Sequence, residues 1–278
     1  MNSPPTLIAQ ISDLHIKRPG ELAYGKIDTA AALARCVREL NRFSPRLDHV
    51  VISGDLVDTP SGQEYDHLKT LLAPLQIPFS AIPGNHDGRA LMRAALPDQA
   101  YGQPAGAVNI AVEIGGVEIL LIDSSVPGAS HGELDAPTLA WLDSALGALA
   151  DRPALLFLHH PPFATGIGPM DRQNLRNAGD LAALLRKHAR VCLVAAGHVH
   201  RATLTIFEGV PATICPAPNH AVALDLAGQL PPSFKVEPPA FHLHAWDPDG
   251  GNLVTHWVPI GDFAGPYPFF GPDGRLLG

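Results

Sequence analysis

The first third of the chain alternates short apolar runs with stretches in which apolar residues recur at the spacing of a helix. The runs at residues 6–11, 48–53 and 79–82 have the length and composition of buried strands. Between them, apolar side chains recur every three or four positions, at Leu33, Cys36, Val37 and Leu40 and then at Tyr65, Leu68, Leu71 and Leu72. Asp28 is placed to cap the first helix. This order of strands and helices predicts parallel pairing.

Beyond about residue 105 the pattern also contains hairpins. The apolar runs 108–114 and 117–122 flank Gly115-Gly116, a pair typical of a two-residue turn between antiparallel strands. The other predicted elements are a helix capped by Asp135, a strand at 154–158, a helix with Leu181, Leu184 and Leu185, a strand at 191–195, a hairpin at 203–207 and 210–214, and strands at 241–246 and 253–258. The pattern therefore predicts a mixed α/β protein with both parallel and antiparallel sheet.

Two segments near the C-terminus have a different composition. Residues 216–240 contain six prolines, which favours an irregular crossing segment rather than a helix. Residues 263–270 combine aromatic side chains with proline. We expect this tail to pack on the core or on a second subunit, which makes a homodimer or larger homo-oligomer plausible.

Composition and charge narrow the range of partners. The 278-residue chain has 46% hydrophobic and 17% charged residues and a formal net charge of -8. An acidic protein is a poor match for a nucleic-acid polymer, which is bound through many Lys and Arg side chains. The N-terminus lacks the features of a signal peptide, and we expect a cytoplasmic protein without a membrane partner. The three cysteines have no disulfide or metal-site spacing and are expected to be free thiols.

Polar residues that can bind metals follow five of the predicted strands at the point where each strand ends. These residues are Asp13 and His15, then Asp55 and Asp58, then Asn85, His86 and Asp87, then His159 and His160, and finally His198 and His200. Taken singly, each cluster is more often a turn, a cap or a packed side chain. Together they lie at the edge of an α/β sheet where ligands bind, so we predict one shared metal site.

The chemistry of these side chains restricts the metal. Carboxylate, imidazole and amide groups are present, and thiolates are absent from the clusters. This set favours Mn, Fe, Co or Zn and is unlike a structural zinc site. A carboxylate between two groups of ligands can bridge two metals, so two divalent ions are expected.

The motifs Asp-x-His, Gly-Asp-x-x-Asp, Gly-Asn-His-Asp, His and Gly-His-x-His, in this order, resemble the calcineurin-like metallophosphoesterase superfamily. The similarity is closest to bacterial class III cyclic nucleotide phosphodiesterases and the related glycerophosphodiesterases. It extends to residues 24–28, 122–125 and 264–266 and so spans nearly the whole chain. The family implies a four-layer αββα sandwich, with a catalytic domain at 1–234 and a small C-terminal extension at 235–278.

The resemblance also implies a role for each ligand. Asp13, His15 and His200 would bind the first metal, and Asn85, His159 and His198 the second, with Asp55 as the bridge. His159 is chosen over His160 because the family uses the first His of His-His-Pro-Pro as the ligand.

The expected reaction is the hydrolysis of small phosphodiesters, either 3',5'-cyclic nucleotides or glycerophosphodiesters, by a metal-bound hydroxide. His86 follows a ligand directly and is the candidate catalytic residue, which would stabilise the transition state or protonate the leaving alkoxide. Asp87 is a candidate to orient His86. His220 and Tyr24 are the candidate substrate-binding residues.

Three alternative functions are compatible with the same residues. A phosphomonoesterase would use the same metals, and a two-metal hydroxide can also hydrolyse a carbon ester or a lactam. A non-catalytic interaction module on this fold is the alternative from another class. Such a module is expected to lack ligands, whereas all seven ligand positions and His86 are present in this sequence.

Overall fold

A computed structural model describes residues 3–103 and 105–277. The strands are β1 (Thr6–Ile11), β2 (His49–Ser53), β3 (Phe79–Ile82), β4 (Ile110–Ile114), β5 (Val117–Ile122), β6 (Ala154–Leu158), β7 (Val191–Ala196), β8 (Thr203–Phe207), β9 (Val210–Ile214), β10 (Ala221–Val222), β11 (Phe234–Lys235), β12 (Ala240–Asp247) and β13 (Asn252–Pro259). The helices are α1 (Thr29–Arg42), α2 (Gly62–Leu72), α3 (Arg89–Ala95), α4 (Ala136–Gly147), α5 (Gly168–Asp171) and α6 (Ala178–Lys187).

The first sheet has the strand order β13-β12-β1-β2-β3. Its strands β1, β2 and β3 are parallel, as the alternation of apolar runs and helical spacing predicts. The late strand β12 pairs antiparallel with β1, and β13 pairs antiparallel with β12. The C-terminal strands are therefore part of the same sheet as the N-terminal strand.

The second sheet has the order β4-β5-β6-β7-β9-β8. Its centre is parallel, and a hairpin lies at each edge. The β4–β5 turn places Gly115 and Gly116 at φ 55° and 84°, a backbone region that glycine enters without steric penalty. The predicted hairpins are therefore confirmed.

The molecule has four layers, which pack together through three apolar clusters. Helices α1, α2 and α3 cover the outer face of the first sheet through residues such as Leu33, Leu68 and Met92. Helices α4 and α6 cover the second sheet through Leu142 and Leu181. A third cluster lies between the sheets and contains Ile8, Val51, Ile82, Phe157 and Leu193. The α/β fold class and the predicted four-layer sandwich are confirmed.

The capping residues explain where the long helices begin. The Asp28 side chain accepts a hydrogen bond from the backbone N–H of Ala31, and Asp135 accepts one from Thr138. Each bond satisfies an amide that has no partner within its helix, an interaction worth about 1 kcal/mol. Both caps agree with the sequence prediction.

The short elements were not predicted. Helix α3 buries only Met92, and the four-residue α5 has no buried residue, so neither carries an apolar stripe that a periodic pattern could reveal. Residues 216–240, predicted to be irregular throughout, contain the paired strands β10 and β11. These two-residue strands are held by tertiary contacts rather than by their own apolar pattern.

The C-terminal tail beyond β13 exposes its aromatic rings. The side chains of Phe263, Tyr267, Phe269 and Phe270 are between 59% and 78% exposed. Residues 240–259, in contrast, form two full strands of the first sheet. Within the described ranges, no helix has the combination of length and apolar character that crossing a bilayer requires.

Candidate metal centre

The polar clusters predicted from the sequence converge at one edge of the sandwich. Strands β1, β2 and β3 of the first sheet and β6 and β7 of the second all lead into this edge, which we call the metal edge. Four overlapping groups have ligand atoms within 4.8 Å of one another, namely Asp13/His15/His200, Asp13/Asp55/His159, His15/Asp55/His86 and His159/His160/His198. Asn85 joins them through a contact with His159. The structure thus brings all seven predicted ligands together.

The backbone at the metal edge adopts an unusual conformation. Five of the seven predicted ligands have a positive φ, namely Asp13 (58°), His15 (46°), Asp55 (50°), His198 (72°) and His200 (58°). Residues other than glycine rarely enter this region, at a cost of about 1–3 kcal/mol each. Hydrogen bonds between loops hold the conformation, including Asp13 N–H to the Gly54 carbonyl at 3.0 Å. Such strain typically accumulates where side-chain placement is functional.

Two glycines of the motifs are required by close packing. A Cβ at Gly84 would clash with the Asp55 carboxylate, and a Cβ at Gly54 would clash with the ring of His159. Gly54 also has φ 105°, which side chains disfavour. The glycines of Gly-Asp and Gly-Asn-His-Asp therefore leave room for the ligands of neighbouring loops.

The first group of ligands has two imidazoles that face each other. The Nε2 atoms of His15 and His200 lie 3.2 Å apart, and Asp13 Oδ1 lies 3.4 Å from Nε2 of His200. The Nδ1–H of His200 donates to the His220 carbonyl, and Nδ1 of His15 faces the Asp58 carboxylate at 3.3 Å. Both Nε2 atoms consequently present lone pairs to the same point.

The second group is arranged around His159. Its Nδ1–H donates to the Ser53 carbonyl at 2.9 Å, so Nε2 is the nitrogen that can bind a metal after losing its proton. Nε2 lies 3.3 Å from Asp55 Oδ2 and 3.2 Å from Asn85 Oδ1. The neighbouring His160 instead bonds Ser124 Oγ through Nδ1 at 2.8 Å. The ring of His198 lies 5.1 Å from that of His159, measured between centroids.

The charges of Asp55 and His159 at the metal edge stabilise each other. Burial alone would raise the pKa of Asp55, but the facing His159 outweighs it and holds that pKa well below its usual value. Burial alone would lower the pKa of His159, yet the Asp55 carboxylate raises it to about 9. Burial lowers the pKa of His198 and His200 well below the usual value, so both imidazoles are neutral. The buried Asp55 carboxylate therefore needs a positive charge beside it, which a proton on His159 supplies and which a metal ion would supply in its place.

This arrangement fits divalent cations. The Nε2 atoms of His15, His200 and His159 lie 3.3 to 3.5 Å from carboxylate oxygens, and such a contact requires a proton or a metal ion between the two atoms. Within the described part of the chain, His198 Nε2 is buried and has no hydrogen-bond partner. Imidazole nitrogens and carboxylate oxygens are ordinary ligands of first-row divalent metals. The Nδ1 atoms of His159 and His200 bond backbone carbonyls, and Nδ1 of His15 lies 3.3 Å from the Asp58 carboxylate, as is usual for metal-binding histidines.

His86 lies beside the ligands, and its hydrogen-bond partners differ from those predicted from the sequence. Its backbone N–H donates to Asp55 Oδ1 at 2.9 Å, and its Nδ1–H donates to the Asp58 carbonyl at 2.8 Å. The prediction that Asp87 orients His86 is wrong. The Asp87 carboxylate instead accepts bonds from the backbone N–H groups of Leu56, Val57 and Gly84 and from the Tyr65 hydroxyl. Asp87 thus ties the Asp55 loop to the Asn85 loop.

Asp58 has a second role besides the carbonyl contact with His86. Its carboxylate faces Nδ1 of His15 and pairs with Lys17 Nζ at 2.7 Å. Hydrogen bonding to His15 holds the pKa of Asp58 well below its usual value. A charged carboxylate behind a ligating imidazole fixes its tautomer and increases its basicity.

A cavity of about 410 Å³ opens over the ligands and His86. Its outer wall is formed by Tyr24, Met170, Gln173, Val222, Pro232, Ser233 and Phe234. Tyr24 stacks on Phe234 with 4.9 Å between ring centroids, and His220 contacts both rings edge-on at 5.3 Å. The structure therefore places both predicted substrate-binding residues, Tyr24 and His220, at this cavity.

Several residues of the site were missed by sequence reasoning. Asn219 donates to the carbonyls of Asp13 and Leu14 and holds the first ligand loop in place. Its position beside His220 in a loop after a strand was a usable signal. Met170, Gln173 and Phe234 reach the cavity from α5, its flanking turn and β11, which no sequence pattern connects with the metal edge.

Comparison with known proteins agrees with this geometry. A sequence model described as calcineurin-like phosphoesterase matches residues 6–202. A protein of Arcobacter nitrofigilis named probable glycerophosphodiester phosphodiesterase GpdQ is 38% identical over 98% of this chain and 99% of its own length. The 3',5'-cyclic adenosine monophosphate phosphodiesterase CpdA of Escherichia coli K12 is 34% identical over 70% of this chain and 69% of its own.

Solved structures share the fold at lower sequence identity. The crystal structure of a dimetal phosphatase from Danio rerio has a TM-score of 0.68 and 17% identity, and covers 94% of this chain and 98% of that chain. This similarity concerns the architecture. The family match covers well over half of the chain, in the region that contains all seven predicted ligands. The chain therefore belongs to the calcineurin-like phosphoesterase family.

Proposed function

We propose that this protein is a dinuclear-metal phosphodiesterase that hydrolyses small phosphodiesters. The observation that carries the proposal is the convergence of two ligand groups on Asp55, with His86 adjoining both at the base of one cavity. Asp55 Oδ2 lies 3.5 Å from His15 Nε2 and 3.3 Å from His159 Nε2, so one carboxylate faces both groups. The chain is a metal-dependent phosphodiesterase by family and by the names of its relatives.

We assign the ligands as the family resemblance implies. Asp13, His15 and His200 hold one divalent ion, Asn85, His159 and His198 hold the other, and Asp55 contacts both. The donor set suits Mn, Fe, Co or Zn. Two such ions, when bound, supply Lewis-acid activation of a water molecule and of the phosphoryl oxygens.

Glycerophosphodiesters are the favoured substrate class. The relative named as a glycerophosphodiester phosphodiesterase matches almost the full length of this chain, including the C-terminal strands and tail. The outer wall of the cavity adds Tyr24, Gln173 and Ser233, three neutral side chains that hydrogen-bond with hydroxyl groups. Among the described residues that line the cavity, none is Lys or Arg, which disfavours a leaving group with further negative charge.

The second candidate substrate class is 3',5'-cyclic nucleotides. The relative named as a cyclic adenosine monophosphate phosphodiesterase supports this class, because its sequence match covers 70% of this chain. The aromatic side chains of Tyr24 and Phe234 in the outer wall provide apolar surface for a nucleoside.

The proposed role of His86 is to act on the leaving alkoxide. With Nδ1–H committed to the Asp58 carbonyl, only Nε2 is available towards the cavity. A protonated ring then stabilises negative charge or donates a proton as the bond from phosphorus to oxygen breaks. His86→Asn should lower kcat by about 10²- to 10⁴-fold while both metals remain bound. Unchanged kcat in a fully metal-loaded variant would refute this role.

The function is tested by turnover of chelated and Mn-reloaded protein. Bis(p-nitrophenyl) phosphate should be hydrolysed faster than p-nitrophenyl phosphate, and glycerophosphodiesters faster than 3',5'-cyclic AMP. Preference for the monoester would establish the phosphomonoesterase alternative. Two bound metals without activity on any phosphoester would instead favour the carbon-ester hydrolase or the non-catalytic module.

The exposed aromatic tail supports the proposal of a homodimer. Four aromatic rings between residues 263 and 270 are largely in solvent, and such apolar patches commonly mark protein interfaces. Replacing Phe269 and Phe270 by Ser should lower the mass measured by light scattering from that of a dimer to that of a monomer. The cytoplasmic location stays a prediction.

A further inference from the structure

A buried polar network lies directly beneath the metal edge, in a layer that is otherwise mostly apolar. The space between the sheets is filled by residues such as Ile8, Val51, Phe157 and Leu193. At the end of this layer that faces the ligands, Gln10, Ser53 and His244 are completely buried. Burying polar groups is unfavourable unless each has a partner, so their presence requires a physical reason.

The network consists of four hydrogen bonds centred on Gln10. Its Nε2 donates to Ser53 Oγ at 2.8 Å and to the Ala196 carbonyl at 3.1 Å. Its Oε1 lies 3.2 Å from Nε2 of His244, and Nδ1 of His244 lies 2.9 Å from the Thr255 hydroxyl. One side chain on β1 thereby joins β2 and β12 of its own sheet to β7 of the other sheet.

The donor and the acceptor of each bond in this network follow from the chemistry of Gln10 and His244. Both amide N–H groups of Gln10 are used, so its oxygen must accept from His244. Burial lowers the pKa of His244 well below its usual value, and the neutral ring has one N–H, on Nε2. Nδ1 then accepts from Thr255. Each of the four bonds then has one donor and one acceptor, which makes the arrangement rigid.

Both targets of the Gln10 amide are the last residues of strands that lead into the metal edge. Ser53 is followed by Gly54 and Asp55, and its carbonyl accepts the Nδ1–H of His159. Ala196 is followed by Gly197 and His198. Gly197 N–H in turn donates to the His159 carbonyl at 2.9 Å. The two bonds of one amide thus set the spacing between the Asp55 and His198 loops.

We propose that Gln10 is a positioning residue that holds the two sheets at the separation that the second metal requires. Three of the ligands assigned to this metal and to the bridge depend on Ser53 and Ala196: Asp55 and His198 follow them closely in the chain, and His159 is bonded to the Ser53 carbonyl. His15 and His200 lie farther along their loops. The inference rests on the proposed metal site but is independent of which phosphodiester is the substrate. His244 has the supporting role of orienting the amide.

The test compares two buried polar residues of the same layer. Gln10→Leu removes the inter-sheet bonds beneath the metal edge. His49→Leu is the matched control, because His49 is also buried, lies on the same face of β2 as Ser53, and bonds Ser80 at 3.0 Å, but at the opposite end of the strand. Each variant removes one buried polar side chain, but only the Gln10 side chain lies beneath the ligands.

The readout is Mn²⁺ binding to chelated full-length protein without substrate, followed by electron paramagnetic resonance. In the unchanged protein, the exchange-coupled signal of a two-manganese centre should appear when the second equivalent binds. In Gln10→Leu, the dissociation constant of the second Mn²⁺ should rise by about 10- to 100-fold, with a smaller change for the first. His49→Leu should match the unchanged protein.

Equal Mn²⁺ constants in Gln10→Leu and the unchanged protein would overturn the proposal, as would an equal weakening in His49→Leu. If Gln10→Leu does not fold, Ser53→Ala removes one of the two bonds and leaves the backbone carbonyl that accepts from His159. It should give a smaller rise in the same constant, and no rise would overturn the proposal. Fewer than two bound Mn²⁺ in the unchanged protein would refute the proposed dinuclear site itself.

Discussion

The two sheets contribute different chemistry to the metal edge. The loops of the first sheet supply both buried carboxylates, Asp13 and Asp55, together with His15 and Asn85. The loops of the second sheet supply only imidazoles among the assigned ligands, His159, His198 and His200. The negative charge therefore belongs to one sheet, and most of the neutral nitrogen donors belong to the other.

This difference means that neither sheet holds a complete site. Asp13 and His15 meet His200 across the interface, and Asn85 meets His159 in the same way. With the proposed ligands, a cation at either position would be bound from both sides of the sandwich. We therefore expect metal binding to depend on the packing of the two sheets.

The largest effect is expected from the first sheet, at its shared carboxylate. Asp55→Asn keeps the shape of the side chain but removes the charge that both ligand groups face. Activity should fall by at least about 10³-fold, equivalent to about 4 kcal/mol of transition-state stabilisation. The measurement is kcat/KM together with the metal content. Asp135→Asn, which changes a distant helix cap, is the matched control and should retain activity.

The corresponding substitution in the second sheet should lower activity less, and excess Mn²⁺ should reverse part of the loss. His198→Ala removes one neutral donor and leaves the bridging carboxylate in place. We expect the second metal to be lost at limiting Mn²⁺, with activity partly recovered when Mn²⁺ is in large excess. Titrating activity against Mn²⁺ distinguishes this from Asp55→Asn, which should not recover. Equal recovery in both variants would contradict the division of charge between the sheets.

Removal of metal should destabilise the whole sandwich. A ligand that binds only the folded state at 100 times its dissociation constant adds about 2.7 kcal/mol to the free energy of unfolding. Chelation should therefore lower the midpoint of thermal unfolding, and Mn²⁺ should restore it. In Asp55→Asn the Mn²⁺-dependent shift should be much smaller. A shift of full size in that variant would show that the ion stabilises the fold from another position.

The smallest effect concerns the far end of the same interface, at His49. Burial lowers its pKa to about 4 in the folded protein, against about 6.5 when unfolded. A depressed histidine pKa means that the unfolded state takes up the proton first, so stability falls as pH drops from about 6.5 towards 4. The loss between pH 7 and pH 5 is about 2 kcal/mol.

Comparison of denaturant unfolding at pH 7 and pH 5 checks this effect. His49→Leu removes the titrating group, so its free energy of unfolding should depend less on pH than that of the unchanged protein. The second metal should be unaffected in this variant at pH 7. An identical pH dependence in both proteins would assign the acid sensitivity to other buried groups, such as His242, whose pKa burial also lowers to about 4.

The sequence was sufficient to predict the main strands and helices of the fold. Alternation of short apolar runs with helical spacing predicted β1, α1, β2, α2 and β3 in order, and the Gly115-Gly116 pair predicted a hairpin. These features depend on local periodicity and turn chemistry, which are written in consecutive residues. Short elements such as α3 and β10 escaped because their few residues carry no repeating pattern.

The position of each ligand motif after a strand was also sufficient to predict one shared metal site. Parallel strands end at the same edge, so Asp13, Asp55 and Asn85 had to lie near one another. The family, the layers and the ligand-type residues of the site were therefore predictable from patterns in the sequence.

Packing of the folded chain set the contacts that hold these residues. It placed β12 beside β1, gave the Nδ1–H of His86 to the Asp58 carbonyl rather than to Asp87, and put Gln10 between the Asp55 and His198 loops. Each of these contacts joins residues that are distant in the chain and have no pattern in common. Hydrogen-bond partners depend on three-dimensional distance and on which competing groups are already satisfied, and a linear sequence specifies neither directly.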